Sequence, residues 1–300
     1  MYCISTENLT HYFNKEEMVL NDINLKVPQG SIYGFLGPNG AGKTTTLRLI
    51  LGLLKKQSGA ISIFNKPFAE NRIEILKKTG SLIEAPSLYA HLSAKENLAI
   101  LQKVYQCKKS RIAEVLNIVG LSDTGKKSAG KFSLGMKQRL SIAMALMHEP
   151  KLLILDEPTN GLDPNGIIEM RELLKQLNKE NGMTILVSSH LLAEIEKMVT
   201  HVGIINKGKI IFQGTMDDLH AAQQQRSFIS FETGDTALTK QILMEKGLQV
   251  VVNGNGLTIP MIKKEAIAEI NEQLVHQQIK VYQISTVKND LESIFIDLVK

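Results

Sequence analysis

Cysteine is almost missing from this chain of 300 residues: only Cys3 and Cys107 occur. Two are too few for a disulfide framework, so a stapled secreted scaffold is not expected and a reducing cytosol is. Clusters of Cys and His at metal-ligand spacing are lacking as well. No stretch approaches the ~18 consecutive apolar residues that a membrane-crossing helix needs. The first ten residues have neither a basic cap nor an apolar core and already carry Glu7, which argues against a secretory leader there. Internal repeats and low-complexity tracts are not evident. What is present is globular composition, 43% hydrophobic and 22% charged, which excludes disorder, collagen and coiled-coil rods. The balance of 35 Lys and Arg against 30 Asp and Glu, a net +5, suits anionic ligands or a membrane surface and selects neither.

The length fits one large domain or two ordinary ones. Residues 1–222 read as alternating strands and helices. Ser31–Leu36, Leu152–Leu155 and Thr184–Val187 are short apolar runs, each closed by glycine or polar residues. Runs of that kind suit parallel strands covered on both faces, so a wound α/β sheet is expected. Helical patterns cover Thr44–Leu54 and Gly135–Met147, and the stretch 85–148 as a whole reads as a helical subdomain. Residues 227–300 differ, following a polar run, Ala221–Arg226. Strand patterns at Ser227–Glu232, Leu248–Val252, Leu257–Pro260 and Lys280–Ile284 alternate with helical ones at Asp235–Lys246, Lys263–His276 and Asn289–Lys300. Asn253-Gly254-Asn255-Gly256 is a hairpin turn signal. A small separate α+β domain is expected there.

Gly37-Pro38-Asn39-Gly40-Ala41-Gly42-Lys43-Thr44 matches G-x-x-x-x-G-K-[ST] in full, after an apolar strand and ahead of a helical pattern. Glycines let successive N–H groups face an anion, and the helix adds the positive end of its dipole. Lys43 is then placed for the β- and γ-phosphates and the Thr44 hydroxyl for Mg²⁺, which makes this the loop of a P-loop NTPase. Asp156 and Glu157 follow the strand Leu152–Leu155. Acidic residues there are common as helix caps, but beside such a loop Asp156 suits the Mg²⁺ shell and Glu157 the proton of an attacking water. His190 closes the third strand at the same sheet edge, where it serves either the structure or a hydrogen bond to a γ-phosphate.

These sites in this order, with Phe132-Ser133-Leu134-Gly135-Met136-Lys137-Gln138-Arg139 between them, resemble the ATP-binding cassette of ABC transporters. The last segment looks like the signature LSGGQ, with Ser133 and Gly135 matching and Leu134 and Met136 departing. The resemblance covers residues 1–220 densely and implies several roles. Tyr12 stacks on adenine, unless it is a packed surface tyrosine. ATP contacts run from Gly37 through Thr45 on one chain and through Ser133, Gly135 and Met136 on another. Asp163, in Asn160-Gly161-Leu162-Asp163, touches the opposite subunit's site, caps a helix, or does both. Glu84 stands where the family carries a Mg²⁺-contacting glutamine. A glutamate at that place, with the tail Leu291-Glu292-Ser293-Ile294-Phe295, resembles the bacitracin-resistance and lantibiotic-immunity branch. A solvent-facing Glu84 is the plainer alternative.

The resemblance implies an ATPase that pairs with a second, identical or related cassette and drives an integral membrane permease. Its place is then the inner face of the cell membrane and its cargo a peptide or amphipathic antimicrobial. A rival is a soluble ABC ATPase acting on nucleic acid or ribosomes. Such proteins usually carry two cassettes or long insertions, and the dispersed pairs Lys55-Lys56, Lys77-Lys78, Lys108-Lys109 and Lys126-Lys127 read as solvated surface. No nucleic-acid partner is expected. A small-molecule P-loop kinase would explain Gly37–Thr44 but neither Ser133–Arg139 nor His190.

Overall fold

The computed structural model describes residues 1–14, 17–84, 87–225, 228–253 and 256–287. They divide into two compact units, Met1–Met216 and the chain from Asp217 onward. The first unit runs β1 (Tyr2–Tyr12), β2 (Met18–Ile23), β3 (Lys26–Pro28), β4 (Ile32–Leu36), α1 (Lys43–Ile50), β5 (Ser58–Ile63), β6 (Lys66–Pro67), α2 (Phe68–Leu76) and β7 (Thr79–Leu82). It continues α3 (Ala94–Tyr105), α4 (Ser110–Ile118), α5 (Leu134–Leu146), β8 (Leu152–Asp156), α6 (Pro164–Asn181), β9 (Thr184–Ser189), α7 (Leu192–Ile195), β10 (His201–Asn206) and β11 (Lys209–Thr215).

A six-stranded sheet in the order β11-β10-β4-β9-β8-β7 forms the centre. All its pairs are parallel except β10 with β11. Every residue of β4, β8 and β9 is buried, the condition that lets a strand read as one unbroken apolar run. Because these strands are parallel, Gly37, Glu157 and His190 all emerge at one edge, where α/β sheets bind ligands.

The first three strands, with β5 and β6, form a second, antiparallel sheet that the apolar runs do not announce. It has the order β2-β1-β5-β6, with β3 on the other end of β1. Leu9, Leu20 and Ile23 from this sheet share one buried cluster with Phe35, Leu47, Ile50 and Ile154, so it closes over α1 and the central sheet. Between β7 and β8 the chain is helical as expected. α3 opens with a capping box: Glu96 N–H donates to Ser93 Oγ, and the Glu96 carboxylate accepts from the Ser93 N–H at 2.8 Å.

The division at 216–217 falls ahead of the expected 222–227 junction. Residues 221–225 of the polar run form the second half of a helix, α8 (Met216–Gln225). The second unit follows with β12 (Phe228–Thr233), α9 (Thr236–Glu245), β13 (Val251–Asn253), β14 (Gly256–Pro260), α10 (Lys264–His276) and β15 (Val281–Val287). Its sheet order β13-β14-β12-β15, antiparallel throughout, makes the βαββαβ order a split-βαβ, ferredoxin-like arrangement. Ile229 and Phe231 alternate inward from β12 to meet Ile242, Leu243, Ile270 and Leu274 of the two helices. Asn253 pairs with Gly256 across the hairpin. The turn residues 254 and 255, the expected helix 289–300 and the Leu291–Phe295 segment lie outside the described residues.

Candidate functional site

A cleft of about 630 Å³ opens at the C-terminal edge of the central sheet. Its floor is the loop from β4 to α1. The Gly37 N–H donates to the Ser189 carbonyl at 3.3 Å, tying the loop to the end of β9. A Cβ at Gly37 would stand 2.4 Å from the Ile205 carbonyl oxygen, so only glycine lets the chain lie this close to β10. Gly42, at the N-cap of α1, has φ 108°, and a Cβ there would meet the Leu20 side chain at 2.5 Å. It offers no side-chain cap. The first-turn N–H groups of α1 are therefore left to an anion, at the positive end of the helix dipole.

Lys43 begins α1 and is only 6% exposed. Its ammonium donates to the carbonyls of Gly37 at 2.7 Å and Pro38 at 3.3 Å, and stands 3.2 Å from Glu157 Oε1. The Thr44 hydroxyl donates to Asp156 Oδ2 at 2.7 Å, while Asp156 Oδ1 accepts from Ser188 Oγ at 2.5 Å. The Ser188 hydroxyl in turn accepts the Glu157 N–H at 2.9 Å. That bond holds Glu157 at φ 49°, an uncommon conformation for a residue with a side chain. The other Glu157 oxygen, Oε2, lies 2.6 Å from His190 Nδ1. One carboxylate thus sits between an ammonium and an imidazole at the phosphate loop.

The structure brings together Lys43, Thr44, Asp156, Glu157 and His190. Pro38, Asn39, Gly40, Gly42 and Thr45 line the cleft, with Gly37 and Ala41 behind them. The aromatic on the cleft is Phe13, not Tyr12. Leu9 and His11 are buried and Tyr12 is half-buried, while Phe13 follows the end of β1 and is exposed at the cleft. Tyr12 instead exchanges backbone hydrogen bonds with the Gln57 side chain. Glu84 does not reach the Thr44–Asp156 pair. It follows β7 at φ 66°, and its carboxylate is taken up by the Arg48 guanidinium from the last turn of α1. Ser188, Lys207 and Gly208 were not read from the sequence. The polar Ser188-Ser189 ending an apolar strand and the Asn206-Lys207-Gly208 turn between two apolar runs were the available signals. Gly208 donates its N–H to the Ala41 carbonyl at 3.0 Å and accepts from Asn21 at 2.8 Å, clamping the phosphate loop to β2.

Ser133, Gly135 and Met136 are not among the residues lining this cleft. Ser133 caps α5, its Oγ accepting the Met136 N–H at 3.3 Å, and Ser133 and Leu134 are exposed. A Cβ at Gly161 would meet Leu134 at 3.0 Å, so this cap packs on the 160–163 loop. Asp163 caps α6, accepting from the Gly166 N–H at 3.2 Å with Pro164 opening the helix. No helix among the described residues is long and apolar enough to cross a membrane.

A phosphate loop, an aspartate–glutamate pair and a histidine on one edge of a parallel sheet define a P-loop ATPase. The family model described as ABC transporter matches residues 20–160. The bacitracin transport ATP-binding protein BcrA of Bacillus licheniformis is 46% identical over 300 residues, covering 99% of this chain and 97% of that protein. The lantibiotic transport ATP-binding protein SrtF of Streptococcus pyogenes is 44% identical over 214 residues, covering 71% of this chain and 91% of its own length. A solved dimeric structure of the ATP-binding cassette MJ0796, in a post-hydrolysis state bound to ADP and Pi, superimposes with a TM-score of 0.63. That cassette is 26% identical, and the match covers 71% of this chain and 98% of the other. The chain belongs to the ABC transporter family as an ATP-binding, ATP-hydrolysing subunit.

Proposed function

We propose that this chain powers export of a peptide antibiotic of the bacitracin or lantibiotic type through a separate membrane permease, docked on the inner face of the cell membrane. Its near full-length similarity to a bacitracin transport ATP-binding protein supports the cargo class. The observation that carries the mechanism is the division of the site. The phosphate loop, Glu157 and His190 share one cleft, while the helix end at Ser133, a second anion-binding terminus, is exposed away from it. Two cassettes facing head to tail, as two copies or as relatives, complete each other: ATP lies between Gly37–Thr45 of one and Ser133–Met136 of the other.

Within each site the residues act on the γ-phosphate in sequence. The anion draws the Lys43 ammonium from the Gly37 and Pro38 carbonyls and from Glu157. Glu157, released from that ion pair and still held by His190, accepts the proton of the attacking water. Thr44 Oγ1 and Asp156 Oδ2 are adjacent hard oxygens, a donor set that fits Mg²⁺ with water and phosphate completing its shell. When bound, that ion neutralises charge on the β- and γ-phosphate oxygens. Loss of the bridging phosphate removes what holds the two halves, and the pair reopens.

Glu157→Gln is expected to slow hydrolysis about 10²–10⁴-fold, the usual worth of a positioned general base, with ATP binding retained. Near-normal turnover would take Glu157 out of this role. For the cargo, a host that loses this chain is expected to become more sensitive to bacitracin or to a lantibiotic. Unchanged sensitivity to both classes contradicts the export reading.

A further inference from the structure

His11 is a polar side chain buried two residues before Phe13 of the cleft wall. It is 5% exposed, and neither ring nitrogen has a hydrogen-bond partner. Buried polar atoms without partners destabilise a fold, and a leucine of similar volume would fill the same space at no such cost. What the imidazole does have is a ring neighbour. Its centroid lies 5.2 Å from that of Phe13 with the planes at 87°, the edge-to-face geometry that aromatic pairs prefer. Phe13 is 55% exposed and forms part of the cleft wall beside Met18 and Val19.

The strand is bent at this point. Pairing of β1 with β2 slips on both sides of His11, between Leu9 and His11 and again between His11 and Tyr12. Such irregularities re-aim side chains and recur next to active sites. Pairing resumes at Tyr12 with Met18, and the Phe13 N–H donates to the Glu17 carbonyl at 3.2 Å, which ties the Phe13 backbone but does not fix its ring about the side-chain bonds. The His11 ring, fixed in the core against its register partner Leu20, supplies the missing constraint.

We infer that His11 is a positioning residue for the purine base of the nucleotide: it fixes the plane of Phe13 so that the phenyl ring presents a preset stacking surface. This rests on Phe13 being the base platform. A loose ring can still stack, but ordering it on binding lowers affinity for the base while leaving the triphosphate contacts untouched.

The test compares binding of ATP with binding of inorganic tripolyphosphate, by calorimetry on the purified full chain. His11→Leu is expected to weaken ATP about two- to tenfold, the range of an aromatic pair. Tripolyphosphate affinity and the melting temperature are expected not to fall, and His11→Phe, which keeps a ring, to restore ATP affinity. Phe13→Ala is expected to weaken ATP at least as much as His11→Leu. If Phe13→Ala weakens ATP and His11→Leu does not, the positioning role is overturned and the platform stands. If His11→Leu weakens ATP and tripolyphosphate equally, its effect passes through Leu20 to Gly42, and the positioning role is again overturned. If Phe13→Ala leaves ATP affinity unchanged, the platform itself fails and the inference with it.

Discussion

Glu157 is held by neighbours of three kinds: the Lys43 ammonium, the His190 imidazole and the Ser188 hydroxyl beneath its backbone. A fourth constraint acts through the loop that follows it. Thr159, 2% exposed, donates its hydroxyl to Glu194 Oε2 at 2.6 Å, which links the Glu157 loop to α7 beyond His190. A hydrogen bond to a carboxylate contributes about 1.5–3 kcal/mol. Thr159→Val keeps the shape and removes the bond, so kcat should fall about tenfold with KM nearly unchanged, measured as steady-state ATPase. A rise in KM alone would show that Thr159 serves binding instead. Ser188→Ala strips partners from a buried Asp156 oxygen and the Glu157 N–H. It should cost about 1–3 kcal/mol in urea unfolding as well as activity. The grouping of Lys43, Thr44, Asp156, Glu157 and His190 was legible because each follows an apolar strand within or beside a motif. Ser188 was not, since one hydroxyl inside a strand has no pattern of its own. Phe13 was not legible either, because pairing slips on both sides of His11 and no strict alternation carries past it.

Among the elements, α5 is tied to β7 through a residue just beyond its C-terminus. His148 Nε2 bonds the Thr79 carbonyl at 3.1 Å, and its ring stacks on Tyr105 of α3, centroids 4.6 Å apart. Burial holds this imidazole below its ordinary value of 6.5, and the Arg111 charge lowers it further, against the Thr79 bond. The native chain thus takes up a proton at His148 less readily than the unfolded chain. Its contribution is complete above about pH 6.5 and is lost as pH falls from there toward the lowered native value. Melting temperatures across that range should fall less for His148→Phe, which keeps the stack, than for the parent. Equal slopes would remove His148 as the source. The parallel strands β4, β8 and β9 were legible because covering both faces leaves an unbroken apolar run. The antiparallel sheet was not. β1 turns Glu7 and Asn8 to solvent and pairs with β5, some fifty residues away, and no local period records such a pairing. The 216–217 division was not legible either, because a polar run such as 221–225 does not by itself mark where a helix begins or ends.

At the scale of the whole molecule, one buried hydrophobic cluster gathers residues from Cys3 to Ile205 and another from Ile229 to Ile279, with no shared member among the described residues. A chain ending at Gln225 should therefore fold and bind ATP with the affinity of the full protein. An insoluble product or lost binding would show that the second unit completes the first. In the proposed division of the site the cassette binds phosphate by itself and needs a second one to enclose it, because Ser133 is not among the residues lining the cleft that holds Lys43. The direct measurement is sedimentation of the Glu157→Gln chain with Mg·ATP and with Mg·ADP. The account predicts a two-cassette species with ATP alone, formed by this chain or with the cassette that co-purifies with it. A single-cassette mass under saturating ATP, with that companion present, would contradict it.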